Sequence, residues 1–212
     1  MSKPSHIKNI TVDFSLIVAA ALLFSAAFPN PVNHYGFGFL GFVAILPLPL
    51  LVRRASWRMI APYGFVYGFL TYSLFNYWLL NFHPLAIFIV PVIYAVYFTA
   101  LFPALKLADR VFPRYGFLVQ LCFWLAYEYL RTQFFLGYPY GILGYSQFMV
   151  SPLVRVSGLV GIWGVSALVV YPAVYLGRAF FSGLTQPHKR IAVLLRSRPL
   201  PALAYLGVLG VA

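Results

Sequence analysis

The stretch "MIAPYGFVYGFLTYSLFNYWLLNF" (residues 59–82) contains no Asp, Glu, Lys or Arg. A second uncharged stretch, "PLAIFIVPVIYAVYFTALFPAL" (84–105), follows it after a single histidine, and a third covers residues 156–177. Each is long enough to cross the hydrocarbon core of a bilayer as a helix, which takes ~20 residues. A soluble core does not need three such segments. The sequence therefore predicts an all-α fold, a polytopic transmembrane helix bundle.

The overall composition also indicates a membrane protein. Of the 212 residues, 62% are hydrophobic and 8% are charged, whereas about a quarter of the residues in a soluble domain are charged. The formal net charge of +12 could indicate nucleic-acid binding, but basic residues in a membrane protein mark its cytoplasmic loops. We therefore predict membrane lipids, and not nucleic acid, as partners of this chain.

The hydropathy pattern predicts about six complete helices plus a truncated seventh. If the N-terminus is cytoplasmic and the segments alternate, every basic residue except Arg131 and Arg155 lies on the cytoplasmic side. A cleavable signal peptide over the first segment is the alternative there, and it leaves the remaining topology unchanged. The last segment spans only about 21 Å as a helix, so we expect residues 1–212 to be a fragment. The predicted segments are 12–28, 36–52, 59–82, 84–105, 115–131, 156–177 and 199 onward.

Three further sequence features are interpreted as structural and not as functional sites. "GFGFLG" (36–41) has the letters of a dinucleotide-binding motif without its preceding strand or following acidic residue, so we predict helix-packing glycines. Cys122 lies in the apolar stretch "LVQLCFWLAY" and is predicted to be buried and unreactive. As the single cysteine, it excludes an intrachain disulfide. Gly158, Gly161 and Gly164 are predicted to let neighbouring helices approach closely.

The segment "WLAYEYLRTQFFLGYPYGILGYSQ" (124–147) contains the candidate site. Glu128 and Arg131 share one helical face with Trp124, near the outer edge of the bilayer, so the two charges can form an ion pair. A charged side chain within a bilayer is energetically costly, so it is expected to form an ion pair or to have a function. The alternative is that Arg131 contacts a lipid phosphate and Glu128 holds it in position. The sequence leaves both interpretations open.

Further candidates for lipid or substrate contact lie outside this helix. Tyr138, Tyr140 and Tyr145 are interspersed with glycines that permit tight turns, and they suit an aromatic belt at headgroup level. Gln147 ends the same segment. His83, in the short outer turn "NFHP", either hydrogen-bonds locally or contacts a lipid headgroup.

These residues resemble the membrane domain of bacterial apolipoprotein N-acyltransferases. That family shows W-x-x-x-E-x-x-R at a helix end, a G-[FY]-P-[WY] turn, G-Y-S-Q, and then a glycine-spaced helix. "AAFPN" and "NYW" also look like the family, and the resemblance covers roughly residues 14–180. The counterparts in this chain are Trp124, Glu128, Arg131, Gly137-Tyr138-Pro139-Tyr140, Gly144-Tyr145-Ser146-Gln147, Gly158 and Gly161.

The resemblance implies an enzyme of the bacterial inner membrane. Such enzymes move an acyl chain from a phospholipid to the N-terminal amine of a lipoprotein's diacylglyceryl-cysteine, through a thioester on a cysteine. Their Glu, Lys and Cys catalytic set lies in a periplasmic αββα nitrilase-like domain. That domain and an eighth helix are expected beyond residue 212, so no catalytic residue is assigned here and the chain alone is expected to be inactive. The implied partners are a phospholipid donor, a lipoprotein acceptor and membrane lipids. No metal or organic cofactor is implied.

A non-enzymatic polytopic membrane protein, such as a small permease or scaffold, is the alternative function. A transporter is expected to show paired short or broken segments, with polar midplane residues, in both halves of the chain. The sequence shows no such repeat.

Overall fold

The computed structural model describes residues 3–112, 115–133, 137–181 and Tyr205. These residues form α-helices and short 3-10 helices, with no strand among them, which confirms the all-α prediction. The 3-10 helices are Gly38–Phe42, Tyr77–Asn81 and Leu143–Gln147. The α-helices are α1 (Lys3–Ala27), α2 (Pro47–Arg54), α3 (Trp57–Phe75), α4 (Ala86–Val111), α5 (Gly116–Leu130) and α6 (Ser151–Phe181).

Three of the described helices are long and apolar enough to cross a membrane. They are α1 over Ile10–Ala27, α4 over its whole length, and α6 over Ser151–Gly177, while α5 is apolar but shorter. Large apolar side chains such as Phe88 and Leu159 are exposed on the outside of the bundle. An outer surface of this kind is stable in lipid, and the chain is a membrane protein.

The predicted crossing over residues 36–52 is not a single helix. It consists of the 3-10 helix Gly38–Phe42, a run of turns, and α2, which begins at Pro47. Pro47 and Pro49 have no N–H to donate, so they fit the first turn of a helix and not the interior of a longer one. The single-helix prediction for this segment is wrong. The predicted segment from 199 onward lies outside the described residues, except for Tyr205.

Helices α3 and α4 pack closely against each other in the core. A methyl group added at Gly68 would lie 2.8 Å from the Cα of Ala95 and 2.7 Å from the ring of Phe98. Tyr67, beside it on α3, packs edge to face on Phe98 with ring centroids 4.9 Å apart. The glycine lets α3 approach α4 closely, and the aromatic rings fill the remaining space.

The glycines of α6 do not pack as predicted. A side chain at Gly158 or Gly161 would meet no described atom within 4 Å, so the prediction of close helix contacts at these two positions is wrong. Gly161 instead has φ 66° and ψ −179°, which breaks α6 into two helices. This is a conformation that residues other than glycine rarely adopt. Gly161 therefore allows the kink in α6.

Two ion pairs join the helices at one end of the bundle. Arg53 of α2 bonds Asp109 of α4 at 2.7 Å, and the adjacent Arg54 bonds Asp13 of α1 at 3.0 Å. Asp13 and Asp109 are two of the three acidic residues in the sequence. This basic end of the bundle is the one predicted to face the cytoplasm.

Candidate functional site

Glu128 joins three structural elements at the opposite end. Its side chain is buried, with 1% exposed. One carboxylate oxygen accepts hydrogen bonds from Trp124 Nε1 at 3.1 Å and from the backbone N–H of Leu143 at 2.9 Å. The other accepts a hydrogen bond from the hydroxyl of Ser166 on α6. Three donors satisfy a carboxylate that would otherwise be unfavourable in the interior of the bundle.

Arg131, at the C-terminus of α5, is equally buried, with 1% exposed. Its Nη1 donates to the backbone carbonyls of Tyr140 at 2.8 Å and Tyr138 at 3.3 Å. The guanidinium lies 5.5 to 5.6 Å from the ring centroids of three tyrosines. Such cation–π contacts are strongest away from water. The three tyrosines are Tyr72, Tyr94 and Tyr127.

The predicted ion pair between Glu128 and Arg131 is not formed. The two residues share a helix face, but each side chain binds a different set of neighbours. Arg131 is the C-cap of α5, so it reaches the turn that follows, while Glu128 reaches sideways to Leu143 and α6. Neither charge is exposed at the headgroup level, so the snorkelling interpretation is wrong as well. Nε and Nη2 of Arg131 have no hydrogen-bond partner among the described residues.

Tyr138 fixes the turn that follows α5. Its hydroxyl donates to Asn76 Oδ1 at 2.8 Å, and its carbonyl accepts hydrogen bonds from Arg131 and from the Tyr94 hydroxyl. Burial raises the pKa of the Tyr138 phenol above its ordinary value, so the group stays protonated and remains a donor. The turn is thereby tied to α3, α4 and α5 together.

An aromatic cleft lies beside this turn, with a volume of about 710 Å³. Pockets for small ligands usually have volumes of about 300 to 1,000 Å³. Tyr140 forms one wall and packs against Trp78 with centroids 5.8 Å apart. Polar side-chain atoms are scarce in the lining, so the cleft suits an apolar ligand. The full lining is Phe28, Pro29, Phe75, Tyr77, Trp78, Pro139, Tyr140, Gly141, Tyr145 and Phe148.

The other sequence candidates have different environments. Tyr145 lines the aromatic cleft and also a neighbouring groove of about 250 Å³. Gln147 is buried, and its Nε2 donates to the carbonyl of Gly38 at 2.6 Å. His83 is exposed, and its Nδ1 accepts from the backbone N–H of Leu85 at 3.1 Å. That bond is the local interaction predicted for a histidine in a short turn.

Sequence reasoning did not select Asn76 or the cleft residues of earlier elements as site candidates, although "AAFPN" and "NYW" contain several of them. Asn76 is fully buried within an apolar segment, and that isolation is the signal that could have identified it. Gly141 has φ 82° and borders the ring of Phe75, so a side chain there would strain the turn and narrow the cleft.

Cys122 does not belong to this site. It is exposed on the outside of α5, so the prediction that it is buried within the protein is wrong. Within the described ranges, no three His, Cys, Asp or Glu side chains come together as a metal site would require.

Comparison with known proteins identifies apolipoprotein N-acyltransferases as relatives. The family described as "Apolipoprotein N-acyltransferase N-terminal domain" matches residues 20–175. The chain is 42% identical over 161 residues to "Apolipoprotein N-acyltransferase 1" of Treponema denticola, an alignment that covers 76% of this chain and 30% of that protein. It is 42% identical over 158 residues to the protein of the same name in Treponema pallidum, covering 74% and 29%. It is 29% identical over 177 residues to "Apolipoprotein N-acyltransferase" of Geobacter metallireducens, covering 78% and 33%. The chain thus spans about a third of the length of these relatives.

Proposed function

This chain belongs to the apolipoprotein N-acyltransferase family, and we propose that it is the membrane portion of an enzyme that acylates lipoproteins. The enzyme would transfer an acyl chain from a phospholipid to the N-terminal amine of a diacylglyceryl-cysteine. The phospholipid ester would first pass its acyl group to a cysteine thiolate, forming a thioester and releasing a lysophospholipid. The lipoprotein amine would then attack the thioester and regenerate the thiol.

The residues that line the aromatic cleft are proposed to bind the acyl chain of the phospholipid donor. The observation that carries this role is the aromatic cleft, an apolar volume of about 710 Å³. A fatty acyl chain can enter such a cleft with little loss of polar solvation, because few polar atoms line it. Tyr140 and Tyr145 line the cleft and are the proposed direct contacts.

The remaining candidates are proposed to hold the walls of the cleft or to contact the lipid headgroup. Glu128, Arg131, Tyr138 and Gln147 are engaged with protein groups, which supports a role in holding the cleft walls. His83 is exposed close to the 3-10 helix Tyr77–Asn81, so contact with a lipid headgroup remains a proposal for it. The unpartnered Nε and Nη2 of Arg131 support the further proposal that Arg131 engages a lipid phosphate when the turn opens.

The proposed location is the bacterial inner membrane, with a cytoplasmic N-terminus. The basic residues support this orientation, because Arg53, Arg54 and Lys106 lie at the end of the bundle opposite the cleft. Basic residues are retained on the cytoplasmic side. The cleft would then open at the periplasmic face, and the bond-making residues are proposed to lie there in a nitrilase-like domain beyond residue 212.

The proposal is tested with the full-length protein, purified and supplied with phospholipid and a synthetic diacylglyceryl-cysteine peptide. We expect the peptide to gain the mass of one acyl chain while the phospholipid becomes a lysophospholipid. A matched peptide with an acetylated N-terminus is the control and should gain nothing. If the free-amine peptide is not acylated while the protein is folded and retains lipid, the proposed activity is wrong.

A further inference from the structure

A second pocket lies at the basic end of the bundle. Its volume is about 340 Å³, and it is bordered by the C-terminus of α2, the start of α3 and the last turns of α4. Three basic side chains and one carboxylate give the lining a net positive charge. Its polar and aromatic residues are Arg53, Ser56, Trp57, Lys106, Asp109 and Arg110.

The positive charge of this pocket is held in place by the fold. Arg53 bonds both carboxylate oxygens of Asp109, through Nε at 3.0 and 2.9 Å and Nη2 at 2.7 Å. Lys106 donates to the carbonyl of Val52 at 2.7 Å and lies 5.6 Å from the ring centroid of Trp57. Asp109 balances only one of the cations. Arg110 is exposed and forms no ion pair among the residues that the structure describes.

The pocket lies one bilayer thickness from the aromatic cleft. Helix α3 begins in the pocket at Trp57 and ends in the cleft at Phe75. Its 19 residues span about 28 Å at 1.5 Å per residue, close to the ~30 Å of a hydrocarbon core. A cleft at one membrane surface therefore places this pocket at the interface of the opposite leaflet, next to its headgroups.

Exposed apolar side chains lie close in sequence to the lining residues of the pocket on α3 and α4. Leu107 and Val111 on α4 are 50% and 55% exposed, and Met59 on α3 is 40% exposed. Trp57 itself is 44% exposed, as is common for tryptophan at a membrane interface. A free phosphate ion would gain nothing from these side chains, whereas a phospholipid would bury its acyl chains against them.

We propose that this pocket binds the headgroup phosphate of an anionic phospholipid in the leaflet opposite the aromatic cleft. Arg110 and Lys106 supply the uncompensated charge, and the exposed residues of α3 and α4 take up the acyl chains. An anionic headgroup is favoured over a zwitterionic one because the lining carries excess positive charge. The proposal requires only that the bundle spans a membrane, and does not rest on acyl transfer.

The test is native mass spectrometry of the full-length protein with phosphatidylglycerol and phosphatidylcholine of identical acyl chains. We expect phosphatidylglycerol to bind more tightly to the wild type, and Arg110→Gln to weaken that binding about fivefold, in line with about 1 kcal/mol per basic residue near an anionic lipid. Arg110→Lys, which keeps the charge, should bind like the wild type. Arg58→Gln is the matched control, because Arg58 is exposed at the same end but does not line the pocket.

Three results would overturn the proposal. The first is equal affinity of the wild type for the two lipids. The second is the same loss for Arg58→Gln as for Arg110→Gln, which would indicate a general surface charge. The third is displacement of phosphatidylglycerol by millimolar inorganic phosphate, which would make the pocket a site for free anions. Thermal unfolding of each variant distinguishes loss of binding from loss of folding.

Discussion

The carboxylate of Glu128 accepts a hydrogen bond from the backbone N–H of Leu143 at 2.9 Å. Because Ser166 donates to the same carboxylate, one side chain of α5 holds both the Leu143–Gln147 3-10 helix and α6. These elements carry Tyr145 and support the wall of the aromatic cleft. The acidic residue is thus placed to maintain the shape of the cleft without being exposed in it.

Removing this carboxylate should destabilise the bundle. Glu128→Ala leaves the buried Trp124 Nε1 and Leu143 N–H without an acceptor. We expect the free energy of unfolding to fall by about 3 kcal/mol, since each orphaned buried donor costs about 1 to 3 kcal/mol. Glu128→Gln should cost less, because its amide oxygen still accepts. Denaturant unfolding in mixed micelles, followed by circular dichroism, measures the free energy of unfolding of both variants. Leu130→Ala, at an exposed position, is the control. If Glu128→Ala is as stable as this control, the structural role of the carboxylate is wrong.

Replacing Arg131 with lysine should loosen the turn that follows α5. A lysine has no planar fork of donors to reach the Tyr138 and Tyr140 carbonyls, and it loses the stacking on the tyrosines. We expect Arg131→Lys to accelerate amide hydrogen exchange at Tyr138, whose N–H bonds the Arg131 carbonyl. Exchange of the full-length protein is measured by mass spectrometry, with Arg155→Lys as an exposed control on α6. Unchanged protection at Tyr138 would exclude the turn-holding role.

Tyr140 should contribute to lipid binding through its ring. Its side chain is exposed in the cleft, and only its backbone carbonyl bonds Arg131, so truncation leaves the turn intact. We expect Tyr140→Ala to weaken binding of a fluorescent phospholipid about fivefold, since an aromatic contact contributes about 0.5 to 1.5 kcal/mol. Tyr140→Phe should bind normally. Weakening in both variants would instead assign the effect to the hydroxyl.

The two kinds of glycine should respond differently to alanine. Gly68→Ala places a methyl group against Ala95 and Phe98, and overpacking of this kind costs about 1 to 3 kcal/mol. Gly158→Ala meets no described atom within 4 Å and should be neutral or slightly stabilising. Thermal unfolding of the two variants in the same detergent compares them directly. Equal losses in the two variants would contradict the role assigned to Gly68 in the contact between α3 and α4, because alanine is otherwise the better helix former.

The fold class could be predicted from the sequence because a helix that crosses a bilayer needs about 20 residues and few charges. Both properties can be read directly from the sequence. The uncharged stretches 84–105 and 156–177 became α4 and α6. The stretch 36–52 is as apolar, but it contains Pro47 and Pro49, and hydropathy does not register a missing N–H donor. Hydropathy therefore predicted a single crossing helix where the chain forms two short helices joined by turns.

The candidate site was located by its charges, but its contacts were not predicted. Glu128 and Arg131 are conspicuous in an apolar run, and the closest opposite charge was the obvious partner for each. Their actual partners include backbone groups that every residue carries, such as the Leu143 N–H and the Tyr140 carbonyl. Only the path of the chain determines which of them comes near. The same limit applies to Gly68 and Gly158, whose roles depend on which helix lies alongside.

The hydrogen bond from Gln147 to the carbonyl of Gly38 spans 109 positions of the chain and so sets an order of events during synthesis. At typical bacterial elongation rates, that interval takes on the order of ten seconds. Until Gln147 leaves the ribosome, the 3-10 helix Gly38–Phe42 lacks this tertiary hydrogen bond and is not fixed against the Leu143–Gln147 helix. Ribosome-bound nascent chains halted before position 147 should therefore expose residues 38–42 to protease, and chains halted well after it should protect them.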